Sequence, residues 1–200
     1  MGERVVVGSN GNFAAAEREQ VHRDGTWHWC VHLLATSGDH VYLQRRAADR
    51  PRNPDSWTST ASGHITAEDA SDQQAITANQ HAALVALMHE VREELRVKWD
   101  VHRAHYLGQV NVTSGGGGET CRCQTMVFRL EAPDSDFSST VEVAEVKAFA
   151  ITEIAQALRE QRGLPAADGH ERPFADNFAP IFELFLSPES GREPSNKPGA

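Results

Sequence analysis

The chain has 200 residues, 40% of them apolar and 24% charged, with a formal net charge of −9. That is ordinary globular composition, enough for one domain with a proper core. The acidic balance argues against nucleic-acid polymers and anionic membranes as partners, and no run approaches the roughly 18 apolar residues that a membrane span needs.

The first residues, Met1–Val7, lack the long apolar stretch of a secretory signal, so a cytoplasmic location is the expectation. Arg4–Val7 predicts a short first strand, and the polar, alanine-rich Phe13–Arg23 predicts helix or irregular chain. Thr26–Ala35 is rich in β-branched and aromatic residues and predicts a strand. A turn at Ser37–Asp39 joins it to a hairpin partner over His40–Arg45. Pro51 and Pro54 break regular structure in Arg50–Asp55, and Trp57–Ala61 predicts a short extended run into Gly63.

A helix is predicted from Asn79 or His81 to Leu95. Tyr106–Val112 and Arg122–Leu130 predict strands on either side of Gly115–Gly118. Those four glycines read as a flexible hairpin loop rather than a phosphate cradle, because no lysine or serine/threonine follows at the required spacing. Val141–Ile151 predicts a strand, Thr152–Glu160 a helix with Thr152 as N-cap, and Asn177–Leu186 a last amphipathic helix. Ser187–Ala200, rich in Pro, Gly, Ser and charge, predicts a disordered tail after one domain spanning 1–186. This order of strands and helices favours a mixed sheet covered by helices. Cys30, Cys121 and Cys123 form no disulfide framework and read as free thiols; Cys121 and Cys123 would share a strand face, but one C-x-C pair is a poor zinc signal.

The predicted helix over 79–95 carries the clearest chemistry. At about 100° of rotation per residue, Glu90, Glu93 and Glu94 fall on one arc, while Leu84, Leu87, Met88, Val91 and Leu95 form a separate apolar stripe. Glu90–Glu94 is an i,i+4 like-charge pair, which costs about 0.2–0.5 kcal/mol on a helix. A divalent cation would remove that repulsion, and hard carboxylate oxygens suit Mg²⁺ or Mn²⁺. The same spacing also fits a solvated acidic face.

This stretch resembles the signature of the Nudix hydrolases, G-x5-E-x7-R-E-U-x-E-E-x-G-U, where U is a bulky aliphatic residue. Gly63 fits the opening glycine, Asp69 stands where the first acid belongs, and Glu90, Val91, Glu93, Glu94 and Val97 fit the second half. His89 replaces the signature arginine, Arg96 replaces its glycine, and Ala70–His81 is an insertion that reads as loop or an added helical turn. The resemblance implies an α/β/α sandwich with a mixed β-sheet and a loop–helix–loop metal site. It implies Mg²⁺ or Mn²⁺ held by Glu90, Glu93, Glu94 and a backbone carbonyl near Gly63. A further acid beyond the signature would be Glu145, with Glu142 in reserve, acting as ligand or base.

A second likeness lies within the same fold. His22–His28, Gln44–Arg46 and Trp57–His64 are similar in layout to isopentenyl diphosphate isomerase. That likeness implies diphosphate contacts from Arg46 and Arg50, and an additional metal on His22, His28 and His64. Where the isomerase has its catalytic cysteine this chain has Ser62, and its later pair of acids falls near Cys121 and Cys123. A serine hydroxyl is harder to activate than a thiol. The combination favours hydrolysis of a diphosphate linkage in a small, nucleoside-diphosphate-type molecule. The alternatives are an isomerase-like enzyme and a catalytically impaired binding or regulatory module. Trp27, Trp29 and Trp57 are candidates to stack on a base, with a core role expected for at least two of them; a homodimer is common in the family, while the sequence itself does not give the oligomeric state.

Overall fold

The computed structural model describes residues 2–72, 75–76, 78–116, 119–132 and 135–187. The predicted tail beyond 187 and the last two glycines of the four-glycine loop, Gly117 and Gly118, lie outside the described residues.

The chain opens with a hairpin of β1 (Arg4–Ser9) and β2 (Asn12–Glu17). Asn10 and Gly11 form its two-residue turn, with φ of 53° and 82°, the positive pair that twists correctly into flanking strands. Helix α1 (Arg18–Asp24) follows and ends on Gly25 in the left-handed conformation. The sequence expectation of helix or irregular chain over 13–23 therefore fails for its first half, where register with β1 overrides alanine's helix preference.

Next come β3 (Trp27–Ser37) and β4 (His40–Arg46), then β5 (Trp57–Thr58) and β6 (Ala61–His64). The insertion contains a short antiparallel pair, β7 (Ser71–Asp72) and β8 (Ala75–Ile76). Helix α2 (Gln80–Glu90) runs on into a wider π-turn at Val91–Leu95. Strands β9 (His105–Gly116), β10 (Glu119–Glu131) and β11 (Val143–Ala150) lead to helix α3 (Ile151–Arg159). Its N-cap is Ala150 rather than Thr152, which lies inside the first turn. A small hairpin of β12 (Leu164–Pro165) and β13 (Glu171–Arg172), not foreseen from the sequence, precedes helix α4 (Phe178–Leu186).

Nine of the described strands form one mixed sheet, in which β10 pairs parallel to β3 and the other pairs are antiparallel. Strand β3 lies at its centre and is buried along almost its whole length, as a strand covered on both faces must be. Its side chains alternate: Cys30 and Leu34 join the core under α3 and α4, while Trp29, Val31 and Leu33 join the core under α2. Two helical layers on opposite faces make an α/β/α sandwich, as expected.

Strands β3 and β4 pair only beside their turn, at Thr36↔Val41 and Ser37↔His40. Farther along they part, with β6 taking the edge of β3 (Cys30↔His64) and β5 the edge of β4 (Gln44↔Thr58). This splay opens the sheet in front of α2. The parallel register sets Cys123 opposite His28 and near Cys30, and Cys30–Cys123 is a disulfide with Cα atoms 5.7 Å apart. The expectation of three free thiols holds only for Cys121, which is buried. Among the described residues, no helix is long and apolar enough to cross a membrane.

Candidate active site

Asn79 starts the acid-bearing helix: its side chain accepts a hydrogen bond from Ala82 N at 2.9 Å, the usual N-cap arrangement. Ala82, Ala83, Ala86 and Leu87 pack one face against the sheet, continued by Val91 and Leu95 in the π-turn. Single π-turns inside helices recur at functional sites, and this one carries Glu93 and Glu94. Arg96 ends it in the left-handed conformation.

Glu94 is only 4% exposed. Its Oε2 accepts from the Gln44 side-chain amide and from the Ser62 backbone N–H, both at 3.0 Å. Burial pushes the Glu94 carboxyl above the usual range, against the pull of Ser62 N–H, Gln44 and the Arg46 charge. Glu90 is raised further, by burial first and then by the charges of Glu94 and Glu93. The space that a side chain at Gly63 would fill is taken by the Glu90 carboxylate.

These residues fit a divalent cation. The donors are hard oxygens, Glu90 and Glu94 are held against like charge with little exposure, and the Gln44 Oε1 atom beside them is buried without a hydrogen-bond partner among the described residues. Glu90, Glu93 and Glu94 line one cavity of about 380 Å³ together with Gly63, Arg46 and Arg50. The structure thus brings together the glycine, the arginines and the acids expected at the site, except Glu145. That carboxylate accepts from Arg45 Nε at 3.1 Å and from Ala167 N at 3.2 Å, in an ion-pair group that also includes Asp55, and it is not among the lining residues. Glu142 lines the cavity instead.

The same cavity is also lined by Arg46, Arg50 and Arg52. Arg46 donates from Nε to the Arg52 carbonyl at 3.2 Å, and Arg50 pairs with Glu142 at 3.0 Å. Burial lowers the Arg46 pKa, partly offset by Glu94. Arg50 Nε and Arg52 Nη1 are buried without hydrogen-bond partners among the described residues, and both side chains line the cavity. Arg52 was not foreseen, although it stands two positions after Arg50 in the same proline-broken loop.

His89 does not stand in for the signature arginine by reaching toward Glu90. Its Nδ1 lies 2.9 Å from Asp69 Oδ1, and Asp69 Oδ2 accepts from Thr66 N and Oγ1 at 2.9 and 2.7 Å. None of the candidate stacking residues reaches the cavity. Trp57 is fully buried and donates to Leu164 O, Trp29 donates to Gly8 O, and Trp27 is exposed elsewhere. No tryptophan, tyrosine or phenylalanine is among the described lining residues.

A second group of side chains adjoins the carboxylates, and two of its members, His64 and Cys121, line the same cavity. His22, His28 and His64 converge, with ring centroids 5.0–5.1 Å apart, and His22 Nε2 lies 3.3 Å from His64 Nε2. Burial holds all three below the ordinary histidine pKa, His22 down at about 3. The free thiol of Cys121 lies 3.4 Å from His28 Nε2. The sequence named the histidines but not the sulfur that joins them.

No protein-family profile matches the chain. Residues of this chain are 34% identical over 83 positions to Nudix hydrolase 3 of Arabidopsis thaliana, covering 40% of this chain but only 9% of the plant protein. They are 24% identical over 164 positions to an isopentenyl-diphosphate Delta-isomerase of Cereibacter sphaeroides, covering 80% of this chain and 84% of that one. The fold is similar to a MutT protein of Methanosarcina mazei, with TM-score 0.54, 16% identity and coverage of 80% and 92%. It is also similar to a MutT NUDIX hydrolase of Burkholderia pseudomallei, with TM-score 0.52, 14% identity and coverage of 80% and 98%. The architecture is the Nudix fold.

Proposed function

From the premise that the chain is a Nudix-fold protein, we propose that it is a hydrolase, dependent on Mg²⁺ or Mn²⁺, that cleaves a diphosphate linkage in a small molecule of the nucleoside-diphosphate type. One observation carries this reading: three crowded carboxylates and three arginines line a single cavity. Glu90, Glu93 and Glu94 would hold the cation, with the backbone at Gly63. The bound cation supplies charge neutralisation at the phosphate oxygens and a water of lowered pKa.

The chain's own groups do the rest. Arg46, Arg50 and Arg52 hold the non-reacting phosphate by charge-assisted hydrogen bonds. Ser62 N–H and Gln44 fix the rotamer of Glu94. Glu90, ionised once a cation offsets the neighbouring carboxylates, takes the proton of the attacking water. With no aromatic side chain other than histidine along the described lining, selection falls on the phosphates more than on a base.

Glu93→Gln and Glu94→Gln are expected to abolish metal-dependent phosphate or monophosphate release while circular dichroism stays unchanged. Full activity in both variants would defeat the assignment. The substrate is found by a panel of nucleoside di- and triphosphates, dinucleotides, nucleotide sugars and isoprenoid diphosphates, scored by product.

A second reading has its own support, since the likeness to the isomerase spans most of both chains and the three histidines do converge. That enzyme would convert a C5 diphosphate without freeing phosphate, so the same release assay separates the two. Ser62 carries no thiol for proton transfer, which favours hydrolysis.

A further inference from the structure

His32 lines the cavity shared by the carboxylates and the arginines, yet it is only 5% exposed. It stands on β3 directly opposite Ser62 of β6, so the two side chains share one face of the sheet, and Ser62 lines the cavity too. The Ser62 N–H donates to Glu94 Oε2, and the Arg46 charge bears on the His32 ring. The imidazole is thus a near neighbour of an expected cation ligand and of an expected phosphate contact.

One hydrogen bond sets its tautomer. His32 Nδ1 lies 2.6 Å from Ser59 Oγ, and Ser59 is fully buried. Among the described residues this is the one hydrogen bond that either side chain makes. A buried hydroxyl with a single nitrogen beside it donates to that nitrogen, because accepting would strand its own O–H without a partner. An Nδ1 that accepts leaves the ring neutral, with its proton on Nε2. Burial acts in the same direction, holding His32 down at about 3. The Nε2–H is then a donor with no acceptor among the described residues, on a side chain that lines a cavity. A polar group left open in that way calls for a ligand.

Resting on the diphosphate reading of this cavity, we infer that the His32 Nε2–H donates a hydrogen bond to a phosphate oxygen of the substrate, with Ser59 as the residue that positions it. Its work differs from that of Arg46, Arg50 and Arg52. A guanidinium next to the cation ligands would repel the ion they hold, whereas an uncharged N–H reaches a phosphate oxygen without competing with the ion. A donor already oriented toward such an oxygen strengthens as charge gathers there in the transition state.

The test uses the full-length chain, isotopically labelled at the histidine ring nitrogens, with Mg²⁺ and methylenediphosphonate, a diphosphate whose P–C–P bridge water does not cleave. The His32 ring, assigned by its absence from the spectrum of His32→Gln, should show a protonated Nε2 and an unprotonated Nδ1. The probe should shift the Nε2 resonance, and Ser59→Ala should let the proton redistribute onto Nδ1. These shifts are read at His32 itself, so they stand even where a substitution at this buried position fails to fold. In turnover, His32→Asn can still accept from Ser59 but places no donor where Nε2 was, and it should lower kcat/KM about 10- to 100-fold. His32→Gln, whose longer amide reaches that position, should recover part of the loss although it gives up the Ser59 bond. A merely structural histidine predicts the reverse order, with His32→Asn the more active. An Nδ1-protonated ring in the wild type, or phosphate release with no shift at His32 and full activity in His32→Asn, would overturn the role of His32 and leave the hydrolase reading standing. A shift at Nε2 without phosphate release from any substrate would overturn the reaction and keep the anion contact.

Discussion

Gly63 and Glu90 share one volume: a Cβ on Gly63 would lie 1.6 Å from Glu90 Oε1 and 2.3 Å from its carboxyl carbon. The glycine is there for close approach rather than for an unusual φ, since Gly63 is not among the positive-φ residues. Any side chain on β6 at this point must expel Glu90 from the acidic group.

The first prediction follows. Gly63→Ala should leave secondary structure intact but displace Glu90 by more than an ångström, and misplacement on that scale costs about 100-fold in rate. Turnover with Mg²⁺, measured beside circular dichroism, checks it. Wild-type turnover in the variant would mean that Glu90 has no part in the reaction.

Arg96 marks a position where the chain tolerates strain. Its φ is 57°, in the left-handed region where an L side chain costs about 1–2 kcal/mol. The signature has glycine here, and the geometry supplies the reason. Arg96→Gly relieves the strain but adds about 0.5–1 kcal/mol of unfolded-chain entropy, leaving a net gain of roughly 0.5–1 kcal/mol. A rise in melting temperature of about 1–4 °C is expected for a chain of this size. Arg96→Ala, which keeps the strain, should show no such rise; equal gains in both would refute the backbone argument.

Much of the site was legible because it is local. The acidic arc and the apolar stripe follow from helical periodicity within one segment. The Asn10–Gly11 hairpin was equally local and was passed over, although the dipeptide is a strong turn signal. Other features are tertiary. Cys121 reaches His28 only because β10 pairs parallel to β3, a register with no trace in strand alternation. Glu142, just ahead of β11, lines the cavity and Glu145, on β11, does not, and the register of β11 with β4 shifts between Val143 and Glu145, which strand alternation does not reveal.

His32 gives a pH prediction. It lies buried on β3 with Nδ1 2.6 Å from Ser59 Oγ, and burial, helped by the Arg46 charge, lowers its pKa from 6.5 to about 3. The folded ring is neutral, while the unfolded ring takes a proton as pH drops through 6.5. The unfolded state therefore binds more protons between those values, and stability present above pH 6.5 is lost as pH falls toward 3. The loss is on the order of 1 kcal/mol per pH unit. Burial depresses His22, His28 and His64 in the same direction, so the comparison is made in metal-free protein against His32→Gln. Denaturant unfolding across this range should show a shallower acid slope in the variant. Parallel slopes would show that His32 titrates normally.

Arg52 is the residue that tests the arginine group. Its Nη1 is buried and unpartnered among the described residues, and its backbone carbonyl anchors Arg46. A cavity-lining guanidinium with one buried, unpartnered donor is poised for an anion. A charge-assisted hydrogen bond contributes about 1.5–3 kcal/mol, so Arg52→Ala should raise KM for the diphosphate substrate about 10- to 100-fold with a smaller change in kcat. Because the backbone contact to Arg46 survives the substitution, the loss reports the side chain itself. Arg52→Lys should restore only part of it, since an ammonium lacks the planar fork. Unchanged KM in Arg52→Ala would place the phosphate on Arg46 and Arg50 alone.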